Sequence, residues 1–347
     1  MSNSPLVSII IVTWNALPLL KKYLPSVVET AYPNLEIILA DNASTDGSAE
    51  WVHTHFPDVR VVRHPENWLF CRGNNAAITH ASGKYVVLLN NDVEVPSGWL
   101  SPLVNHLESE SDVGAVQPKM LQHADAKRFE YAGASGGFLD LFGYPFSRGR
   151  IFFTIEEDRG QYDDACDIFW ATGAAIALRR SALDKVGLLD EQFEMHMEEI
   201  DLCWRLQRAG YRVRVEPASV VFHIGGGSLP RGDVRKVYYN FRNSLLMLFK
   251  NLPPSAWAQV FPRRCLLDAA AAGRALSKGR ARESWAIFRA YRDAHRMKDT
   301  YGDVRPTDDD PLVLPSYRRS IVADYFLHGR KVFRALPKDA FQQNEPE

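Results

Sequence analysis

The sequence contains little cysteine and no long apolar run, and both shortages limit what the chain can be. Its four cysteines form no CxxC pair, which argues against a zinc cage or a disulfide framework and favours a reducing cytoplasm. No stretch approaches the roughly 18 apolar residues of a membrane span. The first residues have only a short apolar run and no basic segment before it, so we expect no signal peptide and a cytoplasmic location.

Two glycine-rich phosphate-binding motifs are missing near the start of the chain. GxGxxG and GxxxxGK[ST] do not occur there, which counts against an NAD-type oxidoreductase and a P-loop enzyme. Apolar runs are present instead, at 7–12, 35–40, 59–63 and 86–89, and they predict strands. Segments with helix-like apolar spacing separate them. We therefore predict an α/β fold with a mostly parallel central sheet flanked by helices.

The net charge of −1 conceals two oppositely charged parts. Residues 231–300 hold 15 Lys and Arg against 5 Asp and Glu, whereas residues 1–230 hold 19 against 29. An acidic first part suits metal binding. A basic segment that contains many aromatic residues suits an anionic surface, either lipid or nucleic acid.

Polar side chains follow the predicted strand 86–89 where it ends, at Asn90, Asn91 and Asp92. A carboxylate at the end of a buried strand lies at the sheet edge, where open α/β folds place their ligands. Its oxygens suit Mg²⁺ or Mn²⁺, and these ions hold phosphates. We interpret Asp92 as a metal ligand, with an ordinary Asn-Asp turn as the alternative.

The first two predicted strands also end in polar residues. Thr13 and Asn15 follow the first strand, and Asp41 ends the second. An acidic group at this place in a nucleotide-binding sheet commonly accepts a hydrogen bond from the ligand. Asp41 is therefore either a group that contacts a nucleobase or ribose, or a strand-end cap.

A second group of candidates lies later in the chain. Residues 168–178 predict a strand with Gly173 inside it, and an interior glycine marks either the close approach of a ligand or tight packing. The next predicted helix begins with Glu198, Glu199 and Asp201. Acids at a helix start often only offset the helix dipole, but Glu199 is also a candidate general base.

His223 follows a predicted strand over 211–222 and precedes the Gly-Gly-Gly-Ser run at 225–228. A lone histidine after a strand is more often structural than a ligand. Beside a glycine run whose amides face phosphate, it becomes a candidate metal ligand.

Five segments in this order and spacing resemble one family: VSIIIVTWN, ADNASTDGS, VVLLNNDVEV, EEIDLCWRLQRAGY and FHIGGGS. They are similar to the inverting family 2 glycosyltransferases of GT-A fold, and to their rhamnosyltransferase-like branch, over about residues 6–250. The resemblance implies transfer of a sugar from a nucleoside diphosphate sugar to a hydroxyl of a glycan or lipid-linked acceptor in cell-surface polysaccharide synthesis. L-Rhamnose from dTDP-rhamnose is the donor expected first, and a UDP- or GDP-sugar is the alternative.

The resemblance also implies roles for individual residues. Residues 90–92 occupy the place of the family's DxD motif, so Asp92 is expected to be the main carboxylate ligand of Mg²⁺ or Mn²⁺, with His223 completing the site. Glu199 stands where the family has the Asp of an ED pair, and it is the expected catalytic base. The positions implied for the nucleotide or donor are Thr13, Asn15, Asp41, Asn90 and Asn91, and those implied for the acceptor or for support of the site are Trp170, Gly173, Glu198 and Asp201.

The donor loop departs from the pattern NxGFxGGNN that many relatives show. This chain reads NWLFCRGNN from Asn67, so Leu69 and Arg72 replace two glycines. Glycine allows close backbone approach, and its loss predicts a reshaped donor pocket in which Arg72 reaches the diphosphate. Asn67 and Asn74 of the same loop are expected to bind the donor.

We predict a catalytic domain over 1–230, a basic amphipathic helical extension over 231–300 and a C-terminal tail over 301–347. The catalytic domain divides into a nucleotide-binding half, about 1–115, and an acceptor half, about 116–230. The extension is either a cap packed on the catalytic domain or a surface that meets anionic lipid at the inner face of the cytoplasmic membrane. Its predicted helices cover 234–250, 266–276 and 285–292.

Two other functions stay open at this point. Asn90 and the EE pair favour a sugar-nucleotide-binding protein that has lost catalysis. A nucleic-acid-binding protein would use the basic helices, but no recognised nucleic-acid motif accompanies them and the first 230 residues are acidic. We therefore expect no nucleic acid partner.

Overall fold

The computed structural model describes residues 4–225, 233–310, 313 and 316–341. The apolar runs form strands, since β-branched and leucine side chains suit a pleated, buried surface. In chain order the strands are β1 (Val7–Thr13), β2 (Leu35–Asp41), β3 (Arg60–Arg63), β4 (Tyr85–Leu89), β5 (Val93–Glu94), β6 (Val113–Gln122), β7 (Gly137–Leu139), β8 (Pro145–Ser147), β9 (Arg150–Ile151), β10 (Thr154–Ile155), β11 (Cys166–Asp167), β12 (Ala175–Arg179) and β13 (Arg212–His223).

Helices alternate with the first strands and then dominate the last third of the chain. Two of them, α1 and α8, carry proline in the first turn, where its missing N–H has no helical partner to lose. In chain order the helices are α1 (Leu17–Val28), α2 (Ser48–His55), α3 (Leu69–Ile78), α4 (Leu100–Ser109), α5 (Arg180–Val186), α6 (Glu198–Arg208), α7 (Val234–Asn251), α8 (Pro254–Ser277), α9 (Ala281–Met297) and α10 (Ile321–Phe326).

The central sheet has the strand order β11-β13-β6-β12-β4-β1-β2-β3, and β5 pairs with β13. Parallel pairs join β3 to β2, β2 to β1, β1 to β4 and β6 to β13, whereas β12 runs antiparallel between β4 and β6. Six strands therefore run in one direction, which confirms the mostly parallel sheet. Because β1, β2 and β4 are parallel neighbours, their polar carboxyl ends meet at one edge.

One predicted strand is shorter than expected. The run 168–178 forms a strand only from Ala175 onward, and Gly173 lies in the turn before it rather than inside it. The residues ahead of the turn bond elsewhere: Trp170 pairs with Gly137, and the Thr172 amide donates to a buried glutamine side chain. The apolar pattern could not distinguish these buried loop positions from a strand.

The helical extension is continuous with the core of the catalytic domain. Leu246 and Met247 of α7 are buried in the same apolar cluster as Leu202 and Trp204 of α6. The extension's helices are longer than predicted, because α8 and α9 each begin well before the strongest apolar spacing. Among the described residues, no helix has both the length and the apolarity required to cross a bilayer.

The segment predicted as a tail is packed over much of its length. Tyr317 is buried and pairs with Asp140 at the small antiparallel sheet of β7–β10, and Ile321 donates its backbone N–H to the Asp140 carboxylate at 2.9 Å. Residues 316–341 are thus packed on the folded body. The apolar positions in this segment are too widely scattered to predict packing.

Candidate active site

A short antiparallel pairing brings Asp92 beside His223. Strand β5 lies against the end of β13, with Val93 opposite His223. Asp92 directly precedes β5, so the two side chains meet although 131 positions separate them in the chain. His223 Nε2 lies 3.0 Å from Asp92 Oδ1, and both residues are buried. The two residues predicted as metal ligands therefore lie together.

The other ring nitrogen of His223 faces a second buried carboxylate, Glu130. His223 Nδ1 and Glu130 Oε1 are 3.4 Å apart, which is an ion-pair distance, and the backbone N–H of Ala132 donates to the same carboxylate. Burial alone would lower the pKa of His223, but Asp92 and Glu130 outweigh it and raise that pKa to about 10. Sequence reasoning missed Glu130, since no motif, strand end or spacing marks it in its irregular segment.

The donor atoms of Asp92 and His223 fit a hard divalent cation. Without a cation, the two side chains form a hydrogen-bonded ion pair at 3.0 Å, and His223 would have to release its Nε2 proton to bind a metal. A carboxylate on the far nitrogen, here Glu130, is a common partner of metal-bound histidines. No cluster of three acidic, histidine or cysteine side chains within the described residues could hold an ion by itself. A cation here would need further oxygens from phosphate or water, as Mg²⁺ commonly does.

Asp92 and His223 line a cavity of about 470 Å³, and the acidic start of α6 lines the same cavity. Glu198 and Glu199 both contribute to its wall. The candidate metal ligands and the candidate base therefore share one partly open cavity. Other predicted or newly found residues on its wall are Asn90, Glu130 and Gly173.

The two glutamates at the start of α6 have raised proton affinities. Burial raises the pKa of Glu199 to about 7. Burial, together with the neighbouring charge of Glu199, raises the pKa of Glu198 well above its usual value. One oxygen of each carboxylate is buried without a hydrogen-bond partner among the described residues. Glu199 has a carboxylate oxygen without a hydrogen-bond partner and a pKa near neutrality, and both properties suit general base catalysis.

The backbone that presents these glutamates is strained. Glu194, His196 and Met197 have φ angles of 63°, 68° and 74°, in the left-handed region that non-glycine residues disfavour. Gly173 lies close to this segment, and a Cβ built on it would be 3.7 Å from the Cβ of Glu199. Such strain persists only where the surroundings hold it.

Helix α7 supplies the contacts that hold the strained segment. The side-chain amide of Asn243 lies 2.7 to 2.8 Å from three backbone carbonyls within residues 193–196. Arg242, next to it, forms a 3.1 Å ion pair with Glu194. The helical extension thus fixes the approach to the candidate base.

Asp201 and Trp170 do not line the cavity, although both are near it in sequence and were predicted for the acceptor or for support. Asp201 is fully buried, 2.8 Å from Arg205 and 2.9 Å from Lys250. Burial would raise its pKa, but these two cations hold it below the usual value. Trp170 donates from Nε1 to the carbonyl of Phe138 at 3.0 Å. Both side chains contact scaffold, and neither reaches the space where a substrate would lie.

Four residues predicted for the nucleotide lie at the carboxyl ends of β1, β2 and β4. Asn91 Nδ2 donates to Thr13 Oγ1 at 3.1 Å. Asn15 and Asp41 each accept a hydrogen bond from a backbone amide within the turn 44–45. The strand ends therefore form one connected polar edge, as predicted, but these four side chains lie outside the cavity described above: Thr13, Asn15, Asp41 and Asn91.

The family model described as glycosyl transferase family 2 matches residues 8–187, which is more than half of the 347 residues. The chain belongs to this family. The matched residues contain the polar strand ends and Asp92, whereas Glu199 and His223 lie beyond them.

The glycosyltransferase has curated relatives of moderate identity. It is 31% identical to an uncharacterized protein of Sinorhizobium fredii and 30% identical to the O-antigen biosynthesis protein RfbC of Myxococcus xanthus. These matches cover 71% and 69% of this chain but only 27% and 19% of the relatives. A third relative is the N-acetylglucosaminyl-diphospho-decaprenol L-rhamnosyltransferase of Mycobacterium tuberculosis, 24% identical over 69% of this chain and 83% of the relative.

Solved structures show the same fold. GalNAc-T7 with UDP, GalNAc and Mn²⁺ aligns with a TM-score of 0.58 at 14% identity, over 89% of this chain and 60% of that one. The mannosyltransferase PcManGT of Pyrobaculum calidifontis, with GDP-Man and Mn²⁺, aligns with a TM-score of 0.50 at 20% identity, over 86% and 88%. The predicted GT-A fold is confirmed.

The loop from Asn67, predicted to bind the donor, has a backbone conformation that favours glycine at Leu69. Leu69 has a φ of 57°, and the Asn67 side chain accepts its backbone N–H at 3.0 Å. Leu69 therefore adopts a positive φ that glycine adopts without strain, and glycine is the residue that the pattern NxGFxGGNN has at this position. Arg72 stacks on Trp68, 4.1 Å from the ring centre, and does not line the cavity.

Two further predictions concern this loop and the end of β13. Asn74 is buried and donates to the carbonyl of Phe70 at 2.8 Å, inside its own helix. The glycine run after His223 was predicted to face phosphate. Its residues 226–228 lie outside the described part of the chain, and only Gly225 is seen on the cavity wall.

Proposed function

We propose that this glycosyltransferase acts with inversion, moving a sugar from a nucleoside diphosphate sugar to an acceptor hydroxyl. One observation carries the proposal: Glu199 and the pair Asp92–His223 line one cavity of about 470 Å³. That volume suits a small ligand. A base and a site for the leaving diphosphate are the two groups that direct displacement at an anomeric carbon requires.

Glu199 is the proposed base. Its free carboxylate oxygen would accept the proton of the acceptor hydroxyl. The hydroxyl oxygen would at the same time attack the anomeric carbon from the side opposite the diphosphate, which leaves. A pKa of about 7 leaves much of the carboxylate ionised at neutral pH while keeping its affinity for a proton high. Burial and the neighbouring Glu199 also raise the pKa of Glu198.

Asp92 and His223 are the proposed ligands of Mg²⁺ or Mn²⁺. A bound cation would supply Lewis-acid neutralisation of the charge that develops on the leaving diphosphate. Asp92 would hold it through a carboxylate oxygen, His223 through Nε2, and Glu130 would orient the imidazole from the other side. The position of both side chains on the wall of one cavity supports this assignment, and His223 would release a proton when the cation binds.

The polar edge formed by the ends of β1, β2 and β4 is the proposed nucleotide site. Thr13, Asn15, Asp41 and Asn91 would contact the nucleoside and its phosphates, together with Asn67 and Arg72 of the donor loop, whereas the buried Asn74, predicted as a donor contact, would support that loop from inside α3. The name of the Mycobacterium tuberculosis relative supports L-rhamnose as the sugar, and dTDP-rhamnose is the donor we propose first. A UDP- or GDP-sugar is the alternative.

The same relative's name supports a lipid-linked acceptor, and a glycan is the alternative. We place a lipid-linked acceptor at the inner face of the cytoplasmic membrane as part of the proposal. The basic residues of 231–300 would then face the anionic surface on which such an acceptor lies. Flotation with anionic vesicles tests the membrane part separately, and purified protein that stays unbound would remove it.

The proposal is tested first by thermal shift with UDP-, GDP- and dTDP-sugars in the presence of Mn²⁺, and then by turnover of the donor that stabilises the protein most. Glu199→Gln should keep the thermal shift and lose about 10²–10⁴-fold in turnover. The exposed Glu29→Gln is the matched control. Near-normal turnover in Glu199→Gln would reject the base.

A catalytically weakened sugar-nucleotide-binding protein is the second candidate, favoured by Asn90 in place of an acid. It predicts a donor-induced thermal shift in the wild-type chain without metal-dependent donor hydrolysis.

A further inference from the structure

A cluster of aromatic side chains borders the cavity at the hairpin between β9 and β10. Phe152 and Phe153 form the tip of this hairpin, and both line the cavity. Their rings meet those of Tyr325 and Phe326 from α10, with Phe152 5.2 Å and 5.3 Å from these two ring centres. These four residues are called the aromatic rim below.

The aromatic rim exposes apolar surface that the fold does not use. Phe153 is 70% exposed and Phe326 is 46% exposed, and the next residue, Leu327, is 80% exposed. Single exposed apolar residues are ordinary, but a contiguous group beside a cavity marks a binding surface. Phenylalanine and leucine offer no hydrogen-bonding group, so this surface suits a hydrocarbon better than the hydroxyls of a sugar.

A cation lies within the rim. The guanidinium carbon of Arg274, from α8, is 5.2 Å from the centre of the Phe153 ring and 5.3 Å from that of Phe326. No carboxylate in the described part of the chain lies within 4.0 Å of it. An arginine free of an acidic partner is available for a phosphate, which its planar fork binds well.

Apolar residues continue from the rim into the cavity. Ile155, Phe70 and Met195 line the cavity together with Phe152, and Glu199 lies on the same wall. A molecule that places a hydroxyl at Glu199 would therefore extend past apolar side chains to the rim.

We propose that the aromatic rim binds the hydrocarbon chain of a lipid-linked acceptor, that Arg274 binds its phosphate, and that the acceptor sugar enters the cavity. The inference rests on the proposed function, because it assigns the acceptor to the same cavity. It commits to a single lipid phosphate molecule rather than to a bilayer. Arg274 lies over the Phe153 and Phe326 rings, so an apolar surface and a cation adjoin the cavity that Glu199 lines, and these are the three kinds of site that such an acceptor needs.

The test uses farnesyl phosphate as a soluble probe, with farnesol and inorganic phosphate as its separate halves. Calorimetric titration of the full chain should show tighter binding of farnesyl phosphate than of either half. Phe153→Ser should weaken farnesyl phosphate about tenfold through lost apolar contact, whereas Phe153→Leu should retain most of the affinity. Arg274→Gln should make farnesyl phosphate bind no better than farnesol.

Phe288→Ser is the matched control, since Phe288 is 57% exposed on α9 and does not line the cavity. Its binding of the probe should equal that of the wild type. Unchanged binding in both Phe153→Ser and Arg274→Gln would overturn the proposal. A loss confined to flotation with anionic vesicles would also overturn it, by identifying the rim as a bilayer contact. If Phe153→Ser does not fold, Phe153→Leu and Arg274→Gln decide the matter.

Donor hydrolysis with Mn²⁺, measured without acceptor, reports separately on the proposed function. If the protein hydrolyses the donor but does not bind farnesyl phosphate, the proposed role of the aromatic rim is rejected and the proposed function is not. Probe binding without hydrolysis or transfer would reject the proposed function and leave the rim intact.

Discussion

Glu130→Gln should destabilise the metal-free protein at low pH and leave its stability nearly unchanged at high pH. In the wild type, His223 lies between Asp92 and Glu130, and its pKa is raised from 6.5 to about 10. This rise corresponds to on the order of 5 kcal/mol of stabilisation of the folded state. Removing one of the two charges should cost on the order of half of that, about 2–3 kcal/mol.

The direction of the pH dependence follows from the raised pKa. A histidine whose pKa is higher in the folded than in the unfolded state contributes its full stabilisation below about pH 6.5, and the contribution disappears as the pH rises through about 10. The difference between wild type and Glu130→Gln should therefore be greatest at pH 6 and nearly absent above pH 10.

Denaturant unfolding in the presence of a chelator, at pH 6 and at pH 10.5, measures this difference. Glu29→Gln, an exposed acid, is the control and should unfold like the wild type at both values. Titration with Mn²⁺ adds a second readout, because loss of a carboxylate behind a metal-bound histidine commonly weakens metal binding about 10–100-fold. A destabilisation of equal size at both pH values would refute the role assigned to Glu130, since it would reflect packing rather than charge.

Three further outcomes test other parts of the site. If Glu199 is the base, wild-type kcat should rise with pH through about 7 and then become constant. Burial raises the pKa of this carboxyl to about 7, and only the ionised form accepts a proton. A flat profile from pH 5 to 9 would contradict this role of Glu199. Asn243→Ala should lower kcat, leave the Kd of the sugar donor unchanged and reduce the unfolding free energy by about 1–3 kcal/mol. The reason is that three backbone carbonyls near Glu199 lose their contact with the Asn243 side-chain amide. Equal losses in kcat and in affinity for the sugar donor would indicate general unfolding of the site. Leu69→Val should destabilise the protein by about 1–2 kcal/mol in chemical denaturation while Leu69→Gly should not, because its φ of 57° disfavours a β-branched residue most.

The sequence predicts the parallel half of the sheet well because burial on both faces leaves a clear pattern. All five positions of β4 are buried, and its residues are accordingly apolar without interruption. The change to polar residues at Asn90 then marks the strand end, and the parallel arrangement places that end beside those of β1 and β2. The apolar pattern of β4 and the topology of the sheet agree there, so both the polar motif at Asn90 and its place at the sheet edge could be predicted from the sequence.

The opposite side of the site depends on pairings that have no local signal. Strand β5 is only two residues long, yet its pairing with β13 brings Asp92 to His223. Glu130 reaches the same histidine from an irregular segment, 93 positions away in the numbering. Contacts of this kind are set by tertiary packing, and neither periodicity nor turn chemistry in a single sequence specifies them.

The extension 231–300 was open to two interpretations, a cap on the catalytic domain or a membrane surface. Different faces of its helices would serve these two roles, the inner face as a cap and the outer face as a membrane surface. The inner face of α7 supports the candidate site: Asn243 holds the strained segment before Glu199, and Lys250 pairs with the buried Asp201, which lies on α6 with Glu199. Truncation before α7 would therefore remove supports of the candidate site as well as any outer surface. The outer face of α9 carries the exposed, stacked pair Trp285 and Phe288, whose removal leaves those supports untouched. Substitutions on this outer face, rather than truncations, are the changes that can separate a membrane contact from catalysis.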